Sequence, residues 1–512
     1  MGDIAAPTDN RPERQEVPST VEAVLPAGQA TLPGLLRGPG ASAYWLVAAV
    51  ALLVVLAYVG LAAFRDETGF PLDDAWIHQT YARNLAQYGR WEFSPGETSA
   101  GSTAPLWTAL LIPAHFLSLS AQLWTYLLGW LCLVWCAWAA MILWQTLWPG
   151  LATRARWAGL VLVLSWPLIW AAGSGMETLL FGALALQLML LYSRQLLFGP
   201  WRPWWLGFFA GLLILARPEG LALLLLVGLG LLLAKDNGHQ RLSRMLSYLL
   251  AATLTLLPYF ALNLWSSGNL WPNTFYAKQA EYAFLWRNSL PTRFLRLFYF
   301  LLGGPAEGWR GMSGAQLLLL PGLLVAAWRS LGIDWQERRL LHVLPLLWAA
   351  GHVLLYAWRL PVLYQHGRYL LPVLPVIILY GLAGWFWLAK RIGTKLQPGP
   401  RVTFVSSRAA GLVFGVLLAI FVLLGMQAYA VDVAFVNGEM VTVARWLNDH
   451  TPPGALIAAH DIGAIGYFGE RPLLDMAGLV SPEVIPLLGD EPALADYVRR
   501  SGAGYLVTAP GW

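Results

Sequence analysis

Long apolar runs separated by short polar or charged segments dominate the chain. Eleven of them read as membrane spans, at about 44–64, 122–146, 157–172, 177–195, 203–216, 219–234, 246–265, 313–329, 341–358, 368–389 and 410–430. A run of roughly 18–25 residues crosses a hydrocarbon core of about 30 Å. The first run is too long for a signal-peptide core and reads as an uncleaved anchor. A further apolar stretch, 104–120, is short and carries Pro105, Pro113 and His115.

Lys and Arg decide how that stretch is placed, because cytoplasmic loops carry them in excess. They cluster at Arg154/Arg156, Arg194/Arg202, Lys235/Arg241/Arg244, Arg329/Arg338/Arg339 and Lys390/Arg391/Lys395/Arg401/Arg408. If 104–120 crosses the bilayer, these clusters fall outside. If it lies in the outer interface or re-enters, every cluster falls inside with the N-terminus. The second arrangement is expected, with the N-terminus in and the C-terminus out. The polar segments 65–103, 175–178, 217–220, 266–312, 359–368 and 432–512 then share the outer face, as the parts of an active site on a helical scaffold would.

Composition supports the membrane reading. Of 512 residues, 57% are hydrophobic and 12% charged, too few charges for a soluble protein of this size. The 28 Trp fit an interfacial belt. The net charge of +5 follows from cytoplasmic loops and gives no reason to expect nucleic acid. Cys132 and Cys136 lie inside an apolar run and read as packing residues. Residues 1–41 are rich in Pro, Ala, Gly and charge and read as a disordered cytoplasmic tail.

Residues 431–512 read as a small extracytoplasmic α/β domain. A helical stretch near 437–449 precedes a strand at 455–459, the Gly-rich segment 463–469, an apolar segment near 472–474, a helix near 493–500 and a strand near 505–508. The whole is an all-α polytopic membrane protein, with a transmembrane domain at 42–430, outer loops at 65–121 and 266–312, and this appended domain.

Asp73-Asp74 is the strongest chemical signal. It opens an amphipathic segment, 75–88, in which Asp74 and His78 share a face. One carboxylate would serve as general base, or the pair would hold a divalent cation such as Mg or Mn. The plain alternative is helix capping. Glu177 either caps the helix that follows it or points into the same cavity. Arg217 and Glu219 flank Pro218 and either pin a turn or act in the site. Asn273 and Lys278 belong to a segment at the outer interface, where Lys278 holds a phosphate or snorkels to headgroups. His366 and Arg368 enter the tenth span. A cation at a helix start opposes the macrodipole, so Arg368 calls for an anion. In the tail, His460-Asp461 ends a strand before Gly463. There is no Walker loop, zinc-type Cys/His spacing, His-Glu-x-x-His or Gly-x-Ser-x-Gly.

The order of these segments resembles the GT-C superfamily of membrane glycosyltransferases that use polyprenyl-phosphate sugars. Within it the chain is similar to the mycobacterial arabinofuranosyltransferases. The likeness is carried by Asp73-Asp74-Ala75-Trp76-Ile77 with Tyr81 to Leu85, Phe93 to Glu97, Pro105 to Thr108, Ser174 to Thr178, Ala216 to Gly220, Pro272 to Lys278 and Asp461 to Tyr467. The resemblance implies a catalytic Asp on the first outer loop, for which Asp73 is the expected base and Asp74 its support. It also implies a bacterial plasma membrane location and a glycan, lipid or protein acceptor, and leaves the sugar open.

The chemistry fits. Polyprenyl phosphate leaves as a stable anion, so the reaction needs a base and phosphate-binding cations but little general acid. Arg368 and Lys278, with Arg217 as a weaker candidate, are expected to bind the donor phosphate. A flippase of lipid-linked saccharides would instead place charges at mid-span with repeat symmetry. A non-catalytic glycan-binding scaffold is the third reading.

Overall fold

A computed structural model describes residues 39–508, apart from 66–67, 95, 97–98, 236, 304–315 and 398. The expected tail at 1–41 lies almost wholly outside the described residues, as does the end of the loop 266–312.

Each expected span is helical, but they differ in length. Seven helices are long and apolar enough to cross a membrane: Ala41–Arg65, Ala121–Leu147, Thr178–Phe198, Gly238–Ser267, Gln316–Glu337, Tyr364–Leu396 and Val405–His450. The pair Pro149–Val163 and Trp166–Gly173, bent by 59°, is an eighth if counted as one span. The other three expected spans are the shorter helices Pro203–Ala216, Leu221–Leu233 and Leu344–Arg359. All eleven expected spans are thus helical, and among the described residues seven of them, or eight with the bent pair, are long and apolar enough to cross a membrane on their own. The first two short helices are separated by Arg217 in extended backbone and a 3₁₀ turn at Pro218–Gly220, because Pro218 cannot continue a helix.

The awkward stretch forms the 12-residue helix Pro105–Phe116, about 18 Å long and too short for the hydrocarbon core. It ends before Ser118, which is left-handed with φ 54°. Ser120 then caps the next span by accepting the N–H of Leu123 at 3.3 Å.

Helix Asp74–Tyr88 packs against this short helix. It stops at Gly89, left-handed with φ 66°, whose N–H donates to Leu85 O at 3.1 Å. Asn84 then donates to the carbonyls of Glu92 and Phe93, both at 3.0 Å, and folds the following loop back. Cys132 and Cys136 are buried free thiols in the second span.

The last span, Pro400–Phe435, runs through a π-helical turn at Val436–Val441 into helix Thr442–His450. The domain beyond is α/β, as expected. Strands β1 (Ile457–Ala459), β2 (Leu473–Asp475) and β3 (Tyr505–Val507) form a parallel sheet in the order β2-β1-β3. The Gly-rich segment is a short helix, Gly463–Phe468. Ile77, Tyr81 and Phe93 of the first loop share a buried cluster with Ile457, Ala459, Ile462 and Ile465. Burial of that apolar surface seats the domain on the first loop.

Candidate active site

The polar segments meet at one end of the helical bundle. The first loop brings Asp74, the segment after the seventh expected span brings Lys278, and the start of span Tyr364–Leu396 brings Arg368. Lys278 reaches the site because its helix, Asn273–Glu281, is stitched to the first loop. Asn273 N–H donates to Ala100 O at 2.8 Å and Thr274 Oγ1 donates to Gly101 O at 2.6 Å. Arg368 follows three consecutive left-handed residues, Gln365, His366 and Gly367, at φ 53°, 55° and 64°.

Asp74 Oδ2 accepts a charged hydrogen bond from Arg368 Nη2 and lies 3.5 Å from Lys278 Nζ. Both cations also donate to the Tyr369 hydroxyl, Arg368 Nη2 at 2.9 Å and Lys278 Nζ at 3.1 Å. Burial alone would raise the Asp74 carboxyl, but Lys278 and Arg368 outweigh it and hold it well below the usual carboxylate range. Lys278 is held above its ordinary value by Asp74, against the opposing effect of burial. Arg368 is 2% exposed, and its Nε and Nη1 find no hydrogen-bond partner among the described residues.

The adjacent carboxylate has a different environment. Asp73 Oδ2 accepts the N–H of Gly463 and Oδ1 that of Ala464, both at 2.7 Å. It therefore joins the first loop to the C-terminal domain. Burial pushes its carboxyl up to about 7, with Asp461 and Asp74 adding to the rise, while the two backbone N–H groups oppose it. The pair divides into a capping and a cavity-facing carboxylate, but the positions are exchanged from those expected. Asp74 faces the cations, and Asp73 caps a helix of the distant domain. Asp73 points away because successive side chains on a helix diverge by about 100°.

Nor does this donor set fit a divalent cation. Both Asp73 oxygens accept backbone N–H groups, and Asp74 faces two cationic side chains. Among the described residues no three His, Cys, Asp or Glu side chains converge as metal ligands.

A second ionic cluster lies beside the first. Arg217 Nη1 donates to Glu177 Oε1 at 2.5 Å, its Nε and Nη2 reach Glu219 at 3.3 and 3.2 Å, and Nη2 donates to Tyr356 OH at 2.8 Å. Tyr356 OH in turn donates to Glu219. Glu219 and Arg217 thus pin their turn and also join Glu177. The Arg217 guanidinium lies 5.0 Å from the Tyr369 ring centroid, and that ring stacks on Tyr356 at 5.3 Å. His78 contacts Thr108 Oγ1 at 3.0 Å through Nδ1, while its Nε2 is 3.6 Å from Glu177 Oε2. Burial pushes its imidazole down, against the opposing effect of Glu177 and Asp74.

Two other candidates lie apart from the cations. His366 pairs with Asp432, Nε2 to Oδ2 at 2.7 Å. Asn273 contributes its backbone to the loop contact, and its buried Oδ1 has no hydrogen-bond partner among the described residues. Tyr369 and Tyr356 were missed by sequence reasoning. Their signal was slight: a Tyr directly after Arg368, and another three residues before Arg359 in an apolar run.

The fold is that of GT-C membrane glycosyltransferases. Over 84% of both chains it is similar to ArnT from Cupriavidus metallidurans in the apo state, with 15% identity and a TM-score of 0.55. ArnT bound to undecaprenyl phosphate gives a TM-score of 0.56 over 84% of this chain and 85% of that one, at 15% identity. The archaeal oligosaccharyltransferase AglB from Archaeoglobus fulgidus, in complex with an inhibitory peptide and a dolichol-phosphate, matches 90% of this chain and 69% of its own. Its identity is 12% and its TM-score 0.56. Residues 428–511 match a domain of unknown function, DUF8728. No curated protein matches the chain in sequence.

Proposed function

We propose that the protein is an inverting glycosyltransferase of the GT-C type. It moves a sugar from a polyprenyl-phosphate donor to a cell-envelope glycan, lipid or protein acceptor on the outer face of a bacterial plasma membrane. The observation that carries this reading is the buried Arg368 guanidinium, which has two N–H-bearing nitrogens without partners among the described residues, beside Lys278 and Asp74. Buried charged donors are seldom left unmade, so an anion is the natural partner.

The charges balance for this reaction. Arg368 and Lys278 supply two positive charges, and Asp74 supplies one negative. A sugar phosphodiester brings one more, making the occupied site neutral. In the transfer, the bond between the anomeric carbon and the phosphate oxygen breaks as the acceptor oxygen bonds to that carbon from the opposite side. The acceptor's proton passes to Asp74, and polyprenyl phosphate leaves with two negative charges. The site holds the same total charge before and after, so the cations meet the charge where it develops. While it pairs with the cations, Asp74 is a weak base. Phosphate binding draws Arg368 and Lys278 from it and raises its basicity as the donor arrives. Asp73 acts as a positioning residue that holds the C-terminal domain on the first loop. The fold relationship to ArnT, solved with undecaprenyl phosphate, and AglB, solved with a dolichol-phosphate, supports a lipid-phosphate donor. So does the gathering of charges at one end of the bundle, which a flippase would not need.

The test uses a strain lacking the protein, with its glycans and lipid-linked sugars measured by mass spectrometry. Wild type should restore the missing glycosylated species, while Asp74→Asn, present at equal level, should leave the donor to accumulate. Full restoration by Asp74→Asn would reject the proposal.

A further inference from the structure

Arg368 is presented by an unusual piece of backbone. Gln365 and His366 both adopt left-handed conformations (φ 53°, ψ 50° and φ 55°, ψ 27°) before Gly367 does the same. Residues with a Cβ adopt this region seldom, and two in succession need outside support. Gln365 does not supply it, since its side chain is exposed. His366 is differently placed. Its Nε2 meets Asp432 Oδ2 at 2.7 Å, and the same oxygen accepts the indole N–H of Trp170 at 2.8 Å. The rings of Trp166 and Trp170 stand edge-on to the imidazole, each with its centroid 5.2 Å away. Asp432 lies near the end of the last long helix, four residues before the π-helical turn that leads into the C-terminal domain.

We propose that His366 and Asp432 form a clasp that holds the left-handed turn 365–367 and so aims Arg368 and Tyr369 at the phosphate site. His366 is a positioning residue and touches no substrate. The turn is closed by the N–H of Arg368 donating to Gln365 O at 3.2 Å and the N–H of Leu370 donating to Gly367 O at 2.8 Å. Releasing the imidazole frees the turn to relax toward right-handed or extended backbone, and the guanidinium moves with it. Because Asp432 belongs to the helix that carries the C-terminal domain, the clasp also ties the phosphate-binding Arg to that domain's stem. The inference rests on the donor reading only for its effect on phosphate binding.

The proposal predicts a specific rescue. If His366 only holds the turn, removing the Cβ of residue 365 should repair its loss, since glycine adopts left-handed backbone freely. The full-length protein in lipid nanodiscs is compared as wild type, His366→Gln, Asp432→Asn, the double variant, and His366→Gln with Gln365→Gly. Undecaprenyl phosphate is the binding probe, and hydrogen exchange at the amides of Arg368 and Leu370 is read without ligand. Each single variant should weaken binding by about tenfold, the size of one lost hydrogen bond to a charged group. The double variant should be no worse than either single variant. Both amides should exchange faster, and Gln365→Gly should return affinity to within about threefold of wild type and restore protection. Unchanged exchange in His366→Gln, additive losses in the double variant, or no rescue by Gln365→Gly would overturn the clasp. Failure of wild type to bind the probe would reject the donor reading instead, and the exchange data would still decide the clasp.

Discussion

Two ionic clusters sit side by side at one end of the helical bundle, and their stoichiometry is opposite. Around Arg217, one cation is enclosed by Glu177, Glu219 and the Tyr356 hydroxyl. Around Asp74, one carboxylate is faced by Arg368 and Lys278. The first cluster has surplus negative charge and gives each guanidinium nitrogen a protein partner. The second has surplus positive charge and leaves two guanidinium nitrogens without partners among the described residues. Under the proposed function, the difference separates a structural use of arginine from a binding use. A closed arginine ties elements together, while an open one waits for an anion. The Tyr369 ring lies against both guanidinium groups, 5.0 Å from Arg217 and 4.8 Å from Arg368, so the closed cluster braces the open one.

Removing the proposed base breaks the comparison most severely. Asp74→Asn should lower turnover by about 10²–10⁴, the usual loss for a general base. Asp73→Asn should cost far less, because its work is done on the C-terminal domain. Turnover assays on the two purified variants in lipid decide this, and a dead Asp73→Asn beside an active Asp74→Asn would reverse the roles.

The closed cluster should fail as structure. Arg217→Gln strands Glu177, which is 1% exposed, without its countercharge. A loss of about 3–5 kcal/mol is expected for such a broken buried pair, read as a fall in thermal unfolding temperature. Arg368→Gln should behave in the opposite way. It should leave unfolding close to wild type and weaken polyprenyl-phosphate binding by about 1.5–3 kcal/mol, measured by titration in nanodiscs.

Asp73 gives the smallest effect. Its carboxyl is raised to about 7 in the folded protein from an ordinary value of 3.8. A raised carboxyl favours the protonated form, so its contribution is full below the unfolded value and is lost as pH rises through 7. Wild type should lose about 1.4 kcal/mol relative to Asp73→Asn between pH 6 and 8. Unfolding scans of both across that range check the slope, and parallel curves would refute it.

Much of this architecture was legible in the chain. Apolar run length and Lys/Arg spacing located the helices and kept 104–120 out of the span count, where a 12-residue helix now stands. The short helices around Arg217-Pro218 were harder, since hydropathy does not register that a proline break halves the available length. Segment convergence was legible because polar stretches of one parity share a face. Partner choice within it was not. Which of two adjacent Asp residues faces the cations depends on the rotation of helix Asp74–Tyr88, and Trp76 packs there on Tyr467 and Phe468, 391 and 392 residues further along the chain. His366 and Arg368 enter the tenth span together as candidate substrate-binding residues, yet the left-handed turn sends the two side chains to different partners.

The most direct test of the open cluster is the affinity of the full-length protein in nanodiscs for undecaprenyl phosphate, compared between Asp74→Asn and Arg368→Gln. In the empty site Asp74 competes with the phosphate for the same two cations. Asp74→Asn should therefore bind at least as tightly as wild type while Arg368→Gln binds at least tenfold more weakly. Weakened binding in Asp74→Asn, or unchanged binding in Arg368→Gln, would contradict the assignment of these cations to the donor phosphate.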